Sequence, residues 1–359
     1  MRVDKNIFII SLILSLFGLI AILTASWRWA ELYLGNRYYF IQHQLIYLLL
    51  GIAIAFFVYI PSLEFWKRGA LLFFILSLIS LYAVFIKGIG EEARGVSRWI
   101  NLGIIQFQPS EFVKIFWVIF LASFLSKAKN NIEFDYIKWI FIFLALIGIA
   151  LALQPNFSML FLFILTTFSV LFLANYDAKK LFLIFVLFVS IAFIFAKSKT
   201  YVHNRLSNGS GITFPLFSTY QQSYALNLIK DSGLFGKGWG RDQYKIYLPE
   251  SHNDFIFPVI LSEGGWIAGF LIVFSYFYLI YSIFILAKEE KDLFNYLLLC
   301  GILSLWSWQI LLNISMTLGF LPVMGLPLPF ISFGGSSLIS NWILVGILLK
   351  ISSLRRWKE

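Results

Sequence analysis

Long apolar segments recur along the chain, and each is bounded by a short polar stretch. A helix needs about 20 mostly apolar residues to cross the hydrocarbon core of a bilayer. Segments of about this length lie at residues 7–25, 40–60, 68–87, 110–127, 136–153, 156–174, 179–197, 255–287, 292–313 and 335–352. The pattern predicts an all-α, polytopic membrane protein of about ten transmembrane helices, in a single domain that covers residues 1–359.

Two of these segments depart from a simple span. The eighth is too long for one perpendicular crossing, and the pair Gly264 and Gly265 beside Glu263 predicts that it breaks or tilts there. The first is predicted to remain as an anchor, because no small-residue cleavage pattern of a signal peptide follows it.

The composition agrees with a chain that is nearly all membrane. Apolar residues make up 60% of it and charged residues 13%, which is too little polar surface for a soluble domain. The net charge of +10 is spread over short loops, a distribution that favours membrane orientation over nucleic-acid binding. Aromatic residues at span ends, such as Trp29, Tyr39 and Trp99, are typical of a belt that contacts membrane lipid. The single cysteine, Cys300, excludes an intramolecular disulfide.

Lysine and arginine determine the predicted orientation. With the N-terminus inside, the cytoplasmic segments hold 15 of them and the short outer segments hold 5, so both termini are predicted to be cytoplasmic. One large extracytoplasmic loop, about residues 198–254, remains. Polar features then concentrate on the outer face, in segments 88–109, 198–254 and 313–334. Irregular backbone is tolerated there where it lines a cavity, which predicts an outward-facing site.

The first polar group carries two arginines and an acid–base pair. Arg94 and Arg98 lie beside Trp99, where arginine can bind phosphate through two hydrogen bonds and the ring can seat a sugar or a lipid headgroup. Simple anchoring at the interface is the alternative. Glu111 and Lys114 are three residues apart on one helix face, which predicts a structural ion pair within the membrane.

The second group lies where the long outer loop enters the eighth span. Glu250, His252 and Asp254 occur there within a few residues, and Glu263 follows inside the span. Partial desolvation at such a junction makes a carboxylate a stronger base, so Asp254 is a candidate general base. Capping of the following helix is the alternative for this residue.

Two further segments are rich in glycine or proline. Residues 233–241 form a glycine-rich stretch with Lys237 and Arg241 as its cations, and its backbone could approach a phosphate closely. It lacks the G-x-x-x-x-G-K-[ST] pattern of nucleotide-driven pumps. Residues 321–337 contain three prolines and three glycines, which predicts a re-entrant or cavity-lining loop. A tight connection between spans nine and ten is the alternative.

Three stretches carry a resemblance to a known family. RWINLGIIQFQPSEFVK, GLFGKGWGRDQYKIYLPESHNDFIF and LPVMGLPLPFISFGGSSL occur in this order, all on the predicted outer face. With them the sequence resembles the SEDS family of RodA, FtsW and SpoVE proteins over essentially its whole length, and its PLPF stretch is closer to RodA. The resemblance implies a ten-span peptidoglycan glycosyltransferase of the bacterial cytoplasmic membrane, with a class B penicillin-binding protein as its partner.

The resemblance also implies roles for individual residues. These are Asp254 as the essential aspartate, Glu250 as a neighbouring motif acid, Glu263 as the buried acid of the following helix, Glu111 and Lys114 as an intramembrane ion pair, and Arg98 and Trp99 as motif residues. The family's PDLG motif reads Pro155-Asn156-Phe157-Ser158 here, so that Asn156 replaces its aspartate.

The implied substrates are lipid II and a growing glycan on undecaprenyl pyrophosphate. Candidates to bind them are Arg94, Arg98, Trp99, Lys237, Arg241, Glu250 and His252. No paired His or Cys spacing suits zinc, and no cofactor is predicted with certainty, but Mg²⁺ or Mn²⁺ between a carboxylate and the pyrophosphate stays open. The alternative function is a flippase for lipid-linked precursors, which would line a path through the bilayer with charge. Charged residues within the predicted spans are few, which favours the enzyme.

Overall fold

The computed structural model describes residues 3–93, 96–101, 106–128, 134–184, 186, 190, 220–241 and 244–355. The helices are α1 (Val3–Leu34), α2 (Tyr39–Tyr59), α3 (Leu63–Ala83), α4 (Pro109–Ser126), α5 (Phe134–Leu153), α6 (Phe157–Leu173), α7 (Tyr220–Lys230), α8 (Ile256–Lys288), α9 (Leu293–Thr317) and α10 (Gly335–Arg355). A sheet of β1 (Gly90–Ala93), β2 (Val96–Asn101) and β3 (Gln106–Phe107) lies between α3 and α4, and a 3-10 turn (Tyr244–Tyr247) precedes α8. Residues 178–184 are also helical.

Within the described part of the chain, eight helices are long and apolar enough to cross a membrane, namely α1 to α5 and α8 to α10. Helix α6 is apolar but has only 17 residues. Most of the predicted seventh span, residues 179–197, lies outside the described residues. Helix α1 continues to Leu34, well beyond the predicted end at residue 25. The prediction of an all-α, polytopic membrane protein is confirmed.

The third helix begins earlier than predicted. Its predicted start was residue 68, but α3 begins at Leu63, because the hydroxyl of Ser62 accepts a hydrogen bond from the Phe65 N–H at 3.2 Å and caps the helix. Its first two turns carry the charged residues Glu64, Lys67 and Arg68. Two of them, Arg68 and Glu64, form an exposed ion pair at 2.8 Å one turn apart.

Three helices form the centre of the bundle. Helices α4, α9 and α10 are mostly buried, whereas α2, α3 and α5 expose most of their length. The exposed side chains of α2 include Leu49, Phe56 and Phe57, and such an apolar surface suits contact with lipid. The central helices carry polar contacts instead. Trp306 of α9 donates its indole N–H to Asn341 of α10 at 2.8 Å.

A small antiparallel sheet occupies the segment before α4, where no strands had been predicted. Strand β2 pairs with β1 on one side and with β3 on the other, and Ile100 lies opposite Phe107. Helix α4 then begins at Pro109, whose ring suits the first turn of a helix. The sheet fixes the backbone of Arg98 and Trp99 within β2.

Helix α8 is broken at Gly265, where φ is +73°, as the sequence predicted. The glycine-rich loop, residues 233–241, replaces the lost helical hydrogen bonds. Four backbone bonds join the two segments: the N–H groups of Lys237 and Gly238 donate to Ser262 and Glu263, and those of Trp266 and Ile267 donate to Gly233 and Leu234. A Cβ atom added to Gly236 or Gly265 would overlap the opposite backbone. These two glycines therefore permit close backbone packing.

The predicted large outer loop, about residues 198–254, contains more structure than a connection. Within this loop, residues 198–219, 242 and 243 lie outside the described part. The remainder forms α7, the glycine-rich loop and the 3-10 turn. Gln222 of α7 donates from Nε2 to the carbonyls of Met316 and Leu321, at 2.8 and 2.5 Å, which attaches α7 to the end of α9 and to the loop that follows it.

Candidate active site

Residues of the first polar group, of the second polar group and of segment 321–337 line one cleft of about 810 Å³. Its lining from these groups comprises Arg98, Trp99, Gln106, Gln108 and Glu111, then Glu250, Asn253, Asp254 and Phe255, and finally Val323, Gly325, Pro327, Phe333, Gly334, Gly335 and Ser337. The other lining residues belong to α2, to the α5–α6 turn, to the start of α6 and to α7. The prediction that residues 321–337 line a cavity is confirmed.

Asp254 lies at the wall of the cleft, half-buried, one residue before the cap of α8. The N-cap is Phe255, which makes no side-chain capping hydrogen bond, so Asp254 is not the capping residue. Its backbone carbonyl accepts a hydrogen bond from Nδ2 of Asn313 at 3.0 Å. The side chain lies beside Gly325, where an added Cβ would come within 3.5 Å of Oδ2.

The backbone around Asp254 is held by residues 321–337. The Ser332 hydroxyl donates to the carbonyl of Asn253 at 2.7 Å, and the Phe333 N–H donates to the carbonyl of His252 at 2.9 Å. Gln44 of α2 holds the same loop, because its amide donates to the Ser332 carbonyl at 3.1 Å and accepts from the Gly334 N–H at 3.1 Å. Two segments that are far apart in sequence thus form one rigid wall.

Arg98 organises another part of the cleft lining. Its guanidinium donates from Nε to the carbonyl of Gln154 at 2.9 Å and from Nη2 to the carbonyl of Pro155 at 2.6 Å. These bonds hold the turn between α5 and α6, at which Asn156 caps α6 by accepting from the Met159 N–H at 3.4 Å. Asn156 also lines the cleft. Asn156, which replaces the family's aspartate, therefore keeps a side-chain oxygen that caps α6.

At the lining of the cleft, the predicted ion pair forms between Glu111 and Lys114. Their charged atoms are 2.5 Å apart and both side chains are 1% exposed. Lys114 also donates to Oε1 of Gln309 at 3.3 Å, and Gln309 donates to the carbonyl of Pro327 at 2.7 Å. The Ser340 hydroxyl donates to Glu111 at 3.2 Å. This network joins α4, α9 and α10 to the loop beside Asp254, and buried polar groups need such partners.

Glu250 and His252 lie in the same turn but have different surroundings. Glu250 has a left-handed backbone, with φ of +58°, and its carboxylate accepts from Nδ2 of Asn253 at 2.6 Å. His252 packs against Phe40 and Phe333, with ring centroids 4.2 and 5.7 Å apart, and is not among the lining residues. Burial lowers the pKa of His252 to about 4, against the opposing effect of Glu250.

The remaining predicted residues lie outside the lining. Lys237 approaches the exposed Asp231 at 3.9 Å, and Arg241 ends the loop that packs on the broken helix. Glu263 is buried and forms an ion pair with Lys245 of the 3-10 turn, while its Oε1 also accepts from the Gly240 N–H at 3.2 Å. Arg94 lies outside the described residues.

Several lining residues had not been selected from the sequence. Tyr39, Phe40, His43 and Tyr47 of α2 form an aromatic side of the cleft. The position of Tyr39 at a span end predicts an interfacial belt, whereas the four-residue spacing of Tyr39, His43 and Tyr47 is the signal that they share one helix face. The roles of Gln44 and Lys245 gave no local signal, because their partners are distant in sequence.

Comparisons with known proteins agree with this architecture. The family model for FtsW, RodA and SpoVE, described as "Cell cycle protein", matches residues 4–357. The probable peptidoglycan glycosyltransferase FtsW of Coxiella burnetii is 34% identical and covers 97% of this chain and 96% of its own. Stage V sporulation protein E of Bacillus subtilis is 31% identical and covers 99% and 98%.

Solved structures show the same fold. Rod shape determining protein RodA of Thermus thermophilus is similar with a TM-score of 0.72 and 24% identity, covering 98% of this chain and 97% of its own. A chain from a structure described as "Structural coordination of polymerization and crosslinking by a peptidoglycan synthase complex" has a TM-score of 0.79 and 23% identity, covering 99% and 98%. The closer likeness to RodA stays a prediction. By its sequence over nearly the whole length, this chain belongs to the SEDS family of FtsW, RodA and SpoVE.

Proposed function

We propose that this chain is a peptidoglycan glycosyltransferase that polymerises lipid II into β-1,4 glycan strands at the outer face of the cytoplasmic membrane. The names of its relatives support the activity. The observation that carries the proposal is that residues of all three motif stretches line one cleft, with Asp254 at its wall. Cell elongation and cell division are both roles for such an enzyme.

The reaction joins two sugars by inversion at one carbon. The 4-hydroxyl of the acceptor attacks the anomeric carbon of the donor, a carbon–oxygen bond forms, and the bond to pyrophosphate breaks with its electron pair on the leaving group. The hydroxyl proton has to pass to a base. Catalysis therefore needs a positioned carboxylate, positive charge near the leaving oxygen, and a fixed geometry for both substrates.

Asp254 is the proposed base. Its backbone is held by Asn313, and the neighbouring carbonyls of His252 and Asn253 accept bonds from Phe333 and Ser332. A carboxylate held in this way at the wall of a cleft can meet the hydroxyl of a bound sugar without reorganisation. Glu250, in the same turn, is proposed to contact the substrate.

The leaving pyrophosphate requires positive charge. Among the described residues, Arg98 is the only lysine or arginine that lines the cleft, which makes it the first candidate. Lys237 and Arg241 are weaker candidates because they lie outside the lining, and Trp99 is proposed to seat a sugar or a headgroup. No group of three His, Cys, Asp or Glu side chains within the described part could hold a metal ion, so no step is assigned to Mg²⁺ or Mn²⁺.

The buried charges favour an enzyme over a flippase. A flippase would use charged side chains along a path through the bilayer. Here Glu111 pairs with Lys114, and Glu263 pairs with Lys245, so these charges neutralise each other inside the bundle. The charged groups that line the cleft are Arg98, Glu111, Glu250 and Asp254, and this set suits chemistry at one end of the bundle.

We also propose a class B penicillin-binding protein as the partner and cytoplasmic positions for both termini. The similarity to a chain from a peptidoglycan synthase complex supports the partner. The excess of lysine and arginine on one side supports the orientation.

Replacement of the proposed base tests the function. Asp254→Asn keeps the size of the side chain and one carbonyl oxygen, but it removes the proton acceptor. We expect glycan polymer formation from lipid II, by the purified chain with its cognate transpeptidase, to fall about 10²- to 10⁴-fold.

Asp177→Asn is the matched control. Asp177 is exposed beyond α6, and its Oδ1 accepts from the Lys179 N–H at 2.9 Å, a bond that asparagine can keep. This variant should polymerise like the wild type. Wild-type yields from Asp254→Asn would contradict the assignment of the base, and a wild-type chain without any polymer product would contradict the function.

A further inference from the structure

One side of the cleft is a regular row of aromatic rings on α2. Tyr39, His43 and Tyr47 are four residues apart and all line the cleft. At 1.5 Å per residue the row extends about 12 Å along the helix, which is longer than one sugar ring. We call these three residues the α2 aromatic row.

The rings of this row are held in place by their neighbours. The centroids of Tyr39 and His43 are 4.2 Å apart, and those of His43 and Tyr47 are 6.5 Å apart. Nδ1 of His43 lies 2.7 Å from the Tyr39 carbonyl, so Nε2 is the ring nitrogen left for another partner. The ring of Tyr47 lies against Gly335, where an added Cβ would be 2.8 Å from two ring carbons. Gly335 thus provides the space that Tyr47 occupies.

The chemistry of the row suits an uncharged ligand with many hydroxyl groups. The phenol groups of Tyr39 and Tyr47 form no hydrogen bond with any described residue, and each can both donate and accept one. Aromatic faces pack against the apolar C–H face of a sugar ring, while phenol and imidazole groups bond its hydroxyls. No charged residue of the cleft lining belongs to α2.

Different sets of contacts link Asp254 to this row and to the turn that Arg98 holds. The row's helix meets Phe333 through Phe40, with centroids 5.0 Å apart, and Phe333 bonds the turn before Asp254. From Asp254 the other wall continues through Gly325, whose N–H donates to the Ser158 hydroxyl at 3.2 Å, towards the turn that Arg98 holds. Asp254 is therefore linked through one set of contacts to the α2 aromatic row and through another to the turn that Arg98 holds.

We propose that the α2 aromatic row is a carbohydrate-binding subsite, which holds sugar rings of the glycan strand while its pyrophosphate end lies towards Arg98. The inference rests on the proposed function and assigns the ligand of one part of the cleft. Rings held over this length keep the strand bound between successive additions. Loss of the row should therefore shorten the strands that the enzyme makes.

Direct binding tests the subsite without catalysis. The probe is N-acetylchitotetraose, a soluble β-1,4-linked tetrasaccharide, titrated into the purified full-length chain in detergent. We expect saturable binding that is weakened roughly tenfold, or about 1.4 kcal/mol, in the double variant Tyr39→Ala/His43→Ala. Tyr39→Phe, which keeps the ring but loses the phenol hydrogen bond, should weaken binding less than the double variant does. Tyr39→Leu keeps apolar volume without a flat face and should weaken binding.

Phe57→Ala is the matched control, since it removes an aromatic ring from the same helix at a position that is 70% exposed and outside the cleft. It should bind like the wild type. Equal binding by wild type and the double variant, with an unchanged melting temperature, would overturn the subsite. Absence of binding to the wild type would also overturn it.

Polymerisation of lipid II separates this inference from the function on which it rests. The double variant should give strands several-fold shorter than those of wild type and Phe57→Ala. If the wild type makes polymer and the double variant matches it in strand length and in sugar binding, the subsite is rejected and the function is kept. Sugar binding that needs the row, without polymer from the wild type, would reject the function and keep the subsite.

Discussion

His252 lies next to the proposed base but is surrounded by rings. Its imidazole packs against Phe40 and Phe333, its carbonyl accepts the Phe333 N–H, and burial holds the pKa of the ring at about 4. Protonation would place a positive charge inside this buried aromatic cluster, which costs free energy. The neutral imidazole therefore connects α2 to residues 321–337 by packing.

This burial predicts a specific pH dependence of stability. The unfolded pKa is 6.5 and the folded pKa is about 4, so between these values the unfolded chain binds a proton that the folded chain does not. The contribution of His252 to stability is full above pH 6.5 and falls as the pH is lowered towards 4. The melting temperature of the wild type should fall more between about pH 7 and about pH 5 than that of His252→Gln. Equal decreases would show that the ring is not kept neutral by the fold.

Sequence identified the acids and Arg98 at the cleft because residue type and position were sufficient. Asp254, Glu250 and Arg98 stand beside spans on the predicted outer face, where ionisable groups are costly without a role. The surroundings of His252 could not be found in this way. They depend on Phe40, more than two hundred positions earlier, and on Phe333, so that only the folded chain brings the three rings together.

At the level of elements, one ion pair bridges the segment that carries Asp254. Lys245 belongs to the 3-10 turn before Asp254 and Glu263 to α8 after it, and their side chains are 3% and 0% exposed. The pair lies next to the break at Gly265, where the glycine-rich loop packs. It therefore connects the loop side and the helix side of the same wall.

Removal of one partner of this pair should be strongly destabilising. Lys245→Met leaves the Glu263 carboxylate buried without a counter-charge, which typically costs about 3–5 kcal/mol. We expect a markedly lower melting temperature for this variant in detergent. The double variant Lys245→Met/Glu263→Met, which replaces both charges by apolar groups of similar volume, should recover most of the loss.

Arg68→Met is the matched control for this prediction. It breaks the ion pair between Arg68 and Glu64, whose side chains are 79% and 55% exposed, respectively. Such surface pairs contribute about 0–1 kcal/mol to stability. A melting temperature of Lys245→Met close to that of Arg68→Met would mean that Glu263 finds another partner or becomes protonated at little cost.

Helices and the helix break were predicted correctly where the local sequence pattern determines them. The spans followed from apolar length and the break in α8 from Gly264 and Gly265. The glycine pattern of residues 233–241 could not reveal the packing on α8, because close backbone approach to a phosphate and close packing against a broken helix require the same glycines. The strands before α4 were not predicted, since they are short and their pairing depends on one another.

For the whole molecule, a buried polar network lies within an apolar core, and the outward surface of α2 is apolar. The central helices α4, α9 and α10 carry the network of Glu111, Lys114 and Gln309, while α2 presents Phe56 and Phe57 outward. Apolar segments revealed that the chain belongs in lipid. They did not reveal which helices lie at the centre, because that depends on the polar contacts each helix makes with the others.

Orientation in the membrane is the last property that the proposed function requires, and the two sides can be distinguished by thiol labelling. Cys300 is 4% exposed and should give little background. Arg37→Cys lies next to Tyr39, which lines the cleft, and Lys288→Cys lies at the end of α8 on the predicted cytoplasmic side. In intact cells a membrane-impermeant thiol reagent should label Arg37→Cys at once and Lys288→Cys only after the membrane is opened. The reverse order would place the cleft in the cytoplasm and exclude polymerisation at the outer face.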